Sequence, residues 1–197
     1  MTKSRIHAIP FVVFLLIALC GQVASAQSFI NDIRQVDFRS FTFSRSGGKK
    51  AELIQFRDGK YVGGEGLNYS LMRFAYGDLT GDGDEEAVIL LRGQNSPVSR
   101  TLDEVFIYTL RNGRAVLLTS FAGGRRGDYI CSVLPSESNF KVEGNLLIID
   151  QAVALEGDND LIPTRYYTVT YRWDGERMEE MGRSALKPLP EHRREIG

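Results

Sequence analysis

Four turn signals limit what this chain can fold into. Asp58-Gly59, Asn112-Gly113, Glu143-Gly144-Asn145 and Asp174-Gly175 each separate two short runs rich in aliphatic, aromatic and β-branched residues. Asn-Gly and Asp-Gly supply the positive φ that two-residue primed turns require, so each pair of runs is expected to fold back as a hairpin. The paired runs are 52–56 with 61–62, 105–110 with 115–119, 140–142 with 146–149, and 166–173 with 177–181. Residues 36–43 alternate apolar and polar for much of their length and read as one more half-buried strand. A polar, Gly-containing connection follows over 44–50. Nothing has the apolar period of a long amphipathic helix, and the turns are spaced too unevenly for a solenoid. The expectation is a mainly β fold: a single antiparallel sheet or sandwich domain built of hairpins, with little helix, and not a full propeller.

The densest local feature is the loop Gly77-Asp78-Leu79-Thr80-Gly81-Asp82-Gly83-Asp84-Glu85-Glu86, with five carboxylates and three glycines in ten residues. It runs directly into Ala87-Val88-Ile89-Leu90-Leu91. Residues 71–76 and 87–92 read as strands on either side. A strand apolar on successive residues is covered on both faces, which puts 87–92 at the centre of the sheet. With Asp78 as position 1, Thr80, Asp82, Asp84 and Glu86 fall at positions 3, 5, 7 and 9, and Gly83 at 6. Calcium loops use this alternation: oxygens at odd positions curl round one ion, position 7 gives its backbone carbonyl, and the glycine permits the sharp turn. Thr80 is a weaker ligand than Asp or Asn. Position 12 is Ile89, so an EF-hand's closing glutamate is absent and Glu86 must close the site. The expected cofactor is a structural calcium ion tying the loop to the following strand. The competing reading is a solvated acidic turn that holds no ion.

Composition excludes several chemistries. The chain has two histidines, His7 near the start and His192 in the polar end segment, so the body of the fold lacks a base for a Ser-His-Asp or Cys-His arrangement. Zinc sites built from His and Cys fail for the same reason. Lys3 and Arg5, the apolar run 11–19 and Ala24-Ser25-Ala26 have the layout of a signal peptide cleaved after Ala26. The expected organisation is a signal peptide over 1–26, one β-rich domain over 27–184 and a flexible tail over 185–197. Cys20 sits where a lipoprotein is acylated, but Leu19 before it does not suit a lipobox, so a lipid anchor at Cys20 is not expected. No later segment is long and apolar enough for a membrane span. Without Lys3 and Arg5 the 24 basic residues fall to 22 against 25 acidic ones, a net charge near −3. That balance gives no footprint for nucleic acid. Cys131, left alone after cleavage, reads as a buried, inert thiol in a strand.

The stretch YGDLTGDGDEEAVI (76–89) resembles the loop-strand unit of FG-GAP-type repeats, "GDLNGDGxxDLVV", which bind calcium in integrin α-subunit and bacterial propellers. Only one copy is present. More widely, the chain resembles small exported bacterial proteins of unknown function. That resemblance is carried by Asp37-Phe38-Arg39-Ser40-Phe41-Thr42-Phe43, the acidic loop, Val105-Phe106-Ile107-Tyr108-Thr109-Leu110-Arg111-Asn112-Gly113 and Tyr171-Arg172-Trp173-Asp174-Gly175. Relatives often carry paired cysteines shortly before the last element; here that region, Glu156-Gly157-Asp158-Asn159-Asp160-Leu161-Ile162, has none. The resemblance implies export and a β-rich fold, and no established reaction.

Lesser signals have a structural reading beside a functional one. Arg126-Gly127-Asp128 spells an adhesion tripeptide inside a Gly-rich loop. Asn68-Tyr69-Ser70 is a glycosylation sequon. Phe38, Phe41, Phe43, Tyr166, Tyr167, Tyr171 and Trp173 line a groove or, as strand aromatics more often do, pack the core. Asp158 and Asp160 are candidates for a second weak cation site. The expected function is an exported binding or interaction module, periplasmic or secreted, for a protein or glycan ligand. The alternative is a carboxylate-based hydrolase acting on glycans or cell wall, which needs no histidine.

Overall fold

The computed structural model describes residues 30–189 apart from 48–49, 65–66, 96–99, 123–127, 131–137, 154, 156–157 and 159–162. The expected signal peptide with Cys20, and also Arg126, Gly127, Cys131 and Asp160, lie outside the described residues. Two strands, β1 (Thr42–Gly47) and β2 (Lys50–Gln55), pair with each other and, among the described residues, with no further strand. The next five, β3 (Lys60–Val62), β4 (Leu67–Gly77), β5 (Glu86–Asn95), β6 (Arg100–Arg111) and β7 (Arg114–Ala122), form a meander in chain order. The rest are β8 (Asp128–Ile130), β9 (Phe140–Glu143), β10 (Leu146–Val153), β11 (Arg165–Trp173), β12 (Met178–Arg183) and β13 (Lys187–Pro188). They make a third sheet ordered β12-β11-β10-β8, with β9 on β10 and β13 on β11. The molecule is mainly β, its sheets antiparallel and including a half-barrel, with no closed barrel or propeller among the described residues. Nor, among those residues, is any helix long and apolar enough to cross a membrane.

The turn chemistry works as expected at two sites and differently at two others. Asn112 and Gly113 have φ of 52° and 72°, the two positive values of a type I′ turn, and Arg111 pairs with Arg114 across it. Between Glu143 and Leu146 only Gly144 is positive, at 59°, as a type II′ turn requires. Asp58 and Gly59 are also both positive, at 51° and 77°, but the runs beside them join different sheets, with one bridge between Arg57 and Lys60. The fourth site is a longer loop: Trp173 pairs with Met178, and Asp174 Oδ1 accepts the amides of Glu176 and Arg177, both at 2.8 Å. An aspartate that bonds the backbone two and three residues on replaces the tight turn with an Asx-stabilised one.

The expected strand over 36–43 is a correction. A 3-10 turn, Phe38–Ser40, takes up its middle, a second, Ile33–Gln35, precedes it, and the chain forms a strand only from Thr42. Asp32 and Asp37 cap these turns, their side chains accepting the amides of Arg34 (2.8 Å) and Arg39 (3.0 Å). This side-chain bonding offers the backbone an alternative to the ladder, and aspartate favours it. The polar stretch after Phe43 is mostly strand, since β1 runs to Gly47 and β2 begins at Lys50.

The meander is the middle layer. From β5, Ala87, Ile89 and Leu91 enter a core built with Phe38, Phe43, Ile54 and Phe106, beneath the 3-10 turns and the β1–β2 hairpin. Val88 and Leu90 enter a second core with Ile107, Phe140, Leu147 and Ile149, against the third sheet. All five β5 residues are at most 1% exposed. Complete burial of each aliphatic side chain contributes about 1.5–3 kcal/mol, so this strand anchors both layers. In β4 a bulge between Leu71 and Arg73 makes Met72 an extra residue. Leu67, Tyr69 and Leu71 before it, and Phe74 and Tyr76 after it, therefore all face the first core.

At the far end, the tail expected from 185 is held at its start. Lys187–Pro188 pairs with Arg165 and Tyr166, and buried Leu189 packs on Ala152 and Tyr166. Its amide donates to the Thr164 carbonyl at 2.9 Å.

Candidate metal centre

The acidic loop links β4 to β5. Its entry is tight: a Cβ on Gly77 would stand 2.5 Å from Val142 Cγ1 of β9, a contact no side chain tolerates. Asp78 organises the bend. Its Oδ1 accepts the Gly81 amide at 2.6 Å and its Oδ2 accepts the Gly83 amide at 3.0 Å. Gly81 and Gly83 have φ of 78° and 95°, so the curl depends on residues that tolerate the left-handed region. Asp82 Oδ1 accepts the Asp84 amide at 3.0 Å, and both aspartates are exposed.

Glu86 is the inner wall. The first residue of β5, it is 0% exposed, and its Oε2 accepts the amides of Leu79 (2.9 Å) and Thr80 (3.1 Å). Burial pushes its carboxyl above the ordinary range, while the Thr80 and Leu79 amides and the Thr109 side chain act in the opposite direction. Two oxygens in this region, Thr80 Oγ1 and Glu86 Oε1, are buried with no partner at hydrogen-bond geometry, the Thr109 hydroxyl acting on the Glu86 carboxyl without closing such a bond to Oε1. A buried oxygen without a donor loses its hydration and gains nothing in return, unless a cation takes the donor's place.

Asp78 and Glu86 thus each turn back onto loop amides, Asp78 onto Gly81 and Gly83 and Glu86 onto Leu79 and Thr80, while Asp82 and Asp84 are exposed. Among the described residues, no three Asp, Glu, His or Cys side chains converge as a ready cluster. The loop's own amides hold the carboxylates of Asp78 and Glu86. Glu85, outside the predicted ligand set, is turned away by Arg34: Nε to Oε2 is 2.5 Å and Nη2 to Oε1 is 2.9 Å. That hydrogen-bonded guanidinium lowers the Glu85 carboxyl. Arg34 also lies over the Tyr76 ring, 4.8 Å from its centroid. Arg34 and Glu85 stand 51 residues apart, and no local sequence signal relates residues at that separation.

The other candidates resolve as packing or loop order. Phe38, Phe43 and Tyr167 are buried, and Phe41, Tyr166 and Tyr171 half-buried against the cores, while Trp173 is half-buried at the end of β11. Asn68 of the sequon lies within β4 beside buried Tyr69. Asp158 accepts the amides of Leu155 (3.0 Å) and Thr164 (3.1 Å) as well as the Thr164 hydroxyl. Away from the loop, one buried carboxylate is also raised. Burial lifts Glu104, and Arg45, bonded to it at 2.6 Å, pulls it down. Arg45 stands 3.8 Å from Glu52 as well, and so lies between the two acids. No family model matches the chain, and neither does any curated protein or solved structure.

Proposed function

We propose that this chain is an exported, β-rich binding or interaction module whose acidic loop is organised by a structural calcium ion. The observation that carries the ion is the pair of buried, unpartnered oxygens, Glu86 Oε1 and Thr80 Oγ1, beside a bend already curled by Asp78 and Gly83. Asp78, Thr80, Asp82, the Asp84 carbonyl and Glu86 would supply its oxygens; the ion would offset a charge cluster that otherwise repels itself. Export rests on the basic start, the apolar run 11–19 and Ala24-Ser25-Ala26. A structural ion in a loop at one end of a rigid sheet fits a surface that recognises a protein or glycan better than a reaction centre. The hydrolase alternative would draw on Glu104 and Glu52, but Arg45 occupies the space between them, where a glycosidic bond would have to enter.

Calorimetric titration with calcium tests the ion. The expected result is saturable heat and a melting temperature that rises with free calcium, by mass action about 2.7 kcal/mol at a hundredfold excess over Kd. D78N and E86Q are expected to abolish both. Absence of heat together with an unchanged melting temperature would refute the reading. N-terminal sequencing of the exported protein should begin at Gln27.

A further inference from the structure

The two ends of the acidic loop are gripped by one side chain from a distant segment. Arg34 belongs to the first 3-10 turn, whose Ile33 is 2% exposed and sits in the core under the meander. Its guanidinium bonds both oxygens of Glu85 at the loop's exit and lies over Tyr76, the residue before Gly77 at its entrance. Asp32 caps the turn by accepting the Arg34 amide, which fixes where the side chain starts. We propose that Arg34 is a positioning residue that couples cation occupancy of the loop to docking of the N-terminal segment 30–38. The inference rests on the calcium reading above.

The physical basis is linkage. Ordering the loop's exit brings Glu86, its buried neighbour, and Glu85 into fixed places, and Arg34 holds that exit in the docked state only. A cation that binds the ordered loop more tightly therefore favours the docked turn, and the docked turn raises cation affinity by the same factor. The guanidinium also has an opposing effect. As a positive charge near the site it repels a divalent ion, so removing Arg34 alone mixes lost positioning with relieved repulsion. Removing Arg34 and Glu85 together leaves the net charge unchanged and isolates the positioning role.

The test uses protein expressed from the full chain, with calcium alone as probe. In the wild type, calcium is expected to slow amide exchange across residues 33–38 as well as in the loop. In R34Q/E85Q, calcium affinity should fall about fivefold, at the low end of ordinary coupling, and the slowing at 33–38 should vanish. R34K, which keeps the charge but not the forked geometry, should recover part of the affinity. Both side chains are well exposed, so far-UV circular dichroism should show the variant folded. If the wild type binds calcium and R34Q/E85Q binds equally or more tightly, or 33–38 gains no protection, the coupling is wrong and the ion stands. If the wild type gives no heat and no rise in melting temperature with calcium, the calcium reading falls and the coupling falls with it.

Discussion

The Gly83 amide donates to Asp78 Oδ2 at 3.0 Å, closing a bend of six residues around the aspartate's own carboxylate. Gly83 holds φ at 95° to do so, and nothing lies within 4 Å of where its Cβ would be. G83A should therefore cost about 1 kcal/mol through the backbone alone. G77A, where the backbone is ordinary but the added methyl meets Val142, should cost about 1–3 kcal/mol through crowding. Urea midpoints at constant slope would check both, and V142A should recover stability in G77A but not in G83A.

Ile89 and Leu90 are neighbours that serve different cores. I89A and L90A should each cost about 3 kcal/mol, as deletions of fully buried aliphatic side chains do. Because the two side chains enter different cores, coupling between them passes only through the shared backbone, and the double variant should match the sum within about 0.5 kcal/mol. Equilibrium denaturation measures it. A marked shortfall would mean the layers are not independent.

Arg45 and Glu104 form a pair in which the acid is almost sealed from water, with Glu52 and the Tyr69 ring completing its surroundings. R45M leaves a buried carboxylate without a counter-charge and should cost about 3 kcal/mol near neutral pH, with most of it recovered in R45M/E104Q. The pH dependence has a definite sign. Burial, the larger cause, raises the Glu104 carboxyl above its unfolded value despite Arg45, so the folded state holds the proton more tightly. The contribution is fully present below the unfolded value, near 4.3, and is lost as pH rises through the raised folded value. Thermal melts of the wild type against E104Q across that window should differ in slope. R45M should widen the window.

Asn112 occupies a left-handed position at the β6–β7 turn, with φ of 52°. N112G should be close to neutral, since glycine accepts this conformation, whereas N112V should lose about 1–2 kcal/mol because a β-branched residue there is strained. Chemical denaturation of the pair would show the difference, and a benign N112V would contradict the type I′ assignment.

Much of the fold was readable because its signals are local. Asn112-Gly113 and Gly144-Asn145 state their own turn geometry, and the unbroken run from Ala87 to Leu91 announces a strand covered on both faces, which is where β5 lies. What failed to read involved competition or distance. The alternation over 36–43 was outweighed by Asp37, whose carboxylate serves the backbone at Arg39. β4 reaches back to Leu67, four residues before the run expected from Leu71, because Met72 is an extra residue and the alternation before it is out of step with that after it. At the acidic loop, residue spacing gave the bend and its glycines. It did not disclose that Glu86 would turn back onto the amides of Leu79 and Thr80, or that Arg34 would claim Glu85. Those depend on elements meeting in space.

The extra residue in β4 also sets how this chain tolerates genetic lesions. Loss of the single codon for Met72 would remove little apolar surface, because that side chain is 41% exposed. It would also leave Leu71 opposite Leu91 and Arg73 opposite Leu90 in unbroken alternation, so Leu67, Tyr69, Phe74 and Tyr76 would keep the face they have. Dropping this one methionine should thus be better tolerated than losing any one residue from the middle of β5, where the flanking side chains would exchange faces.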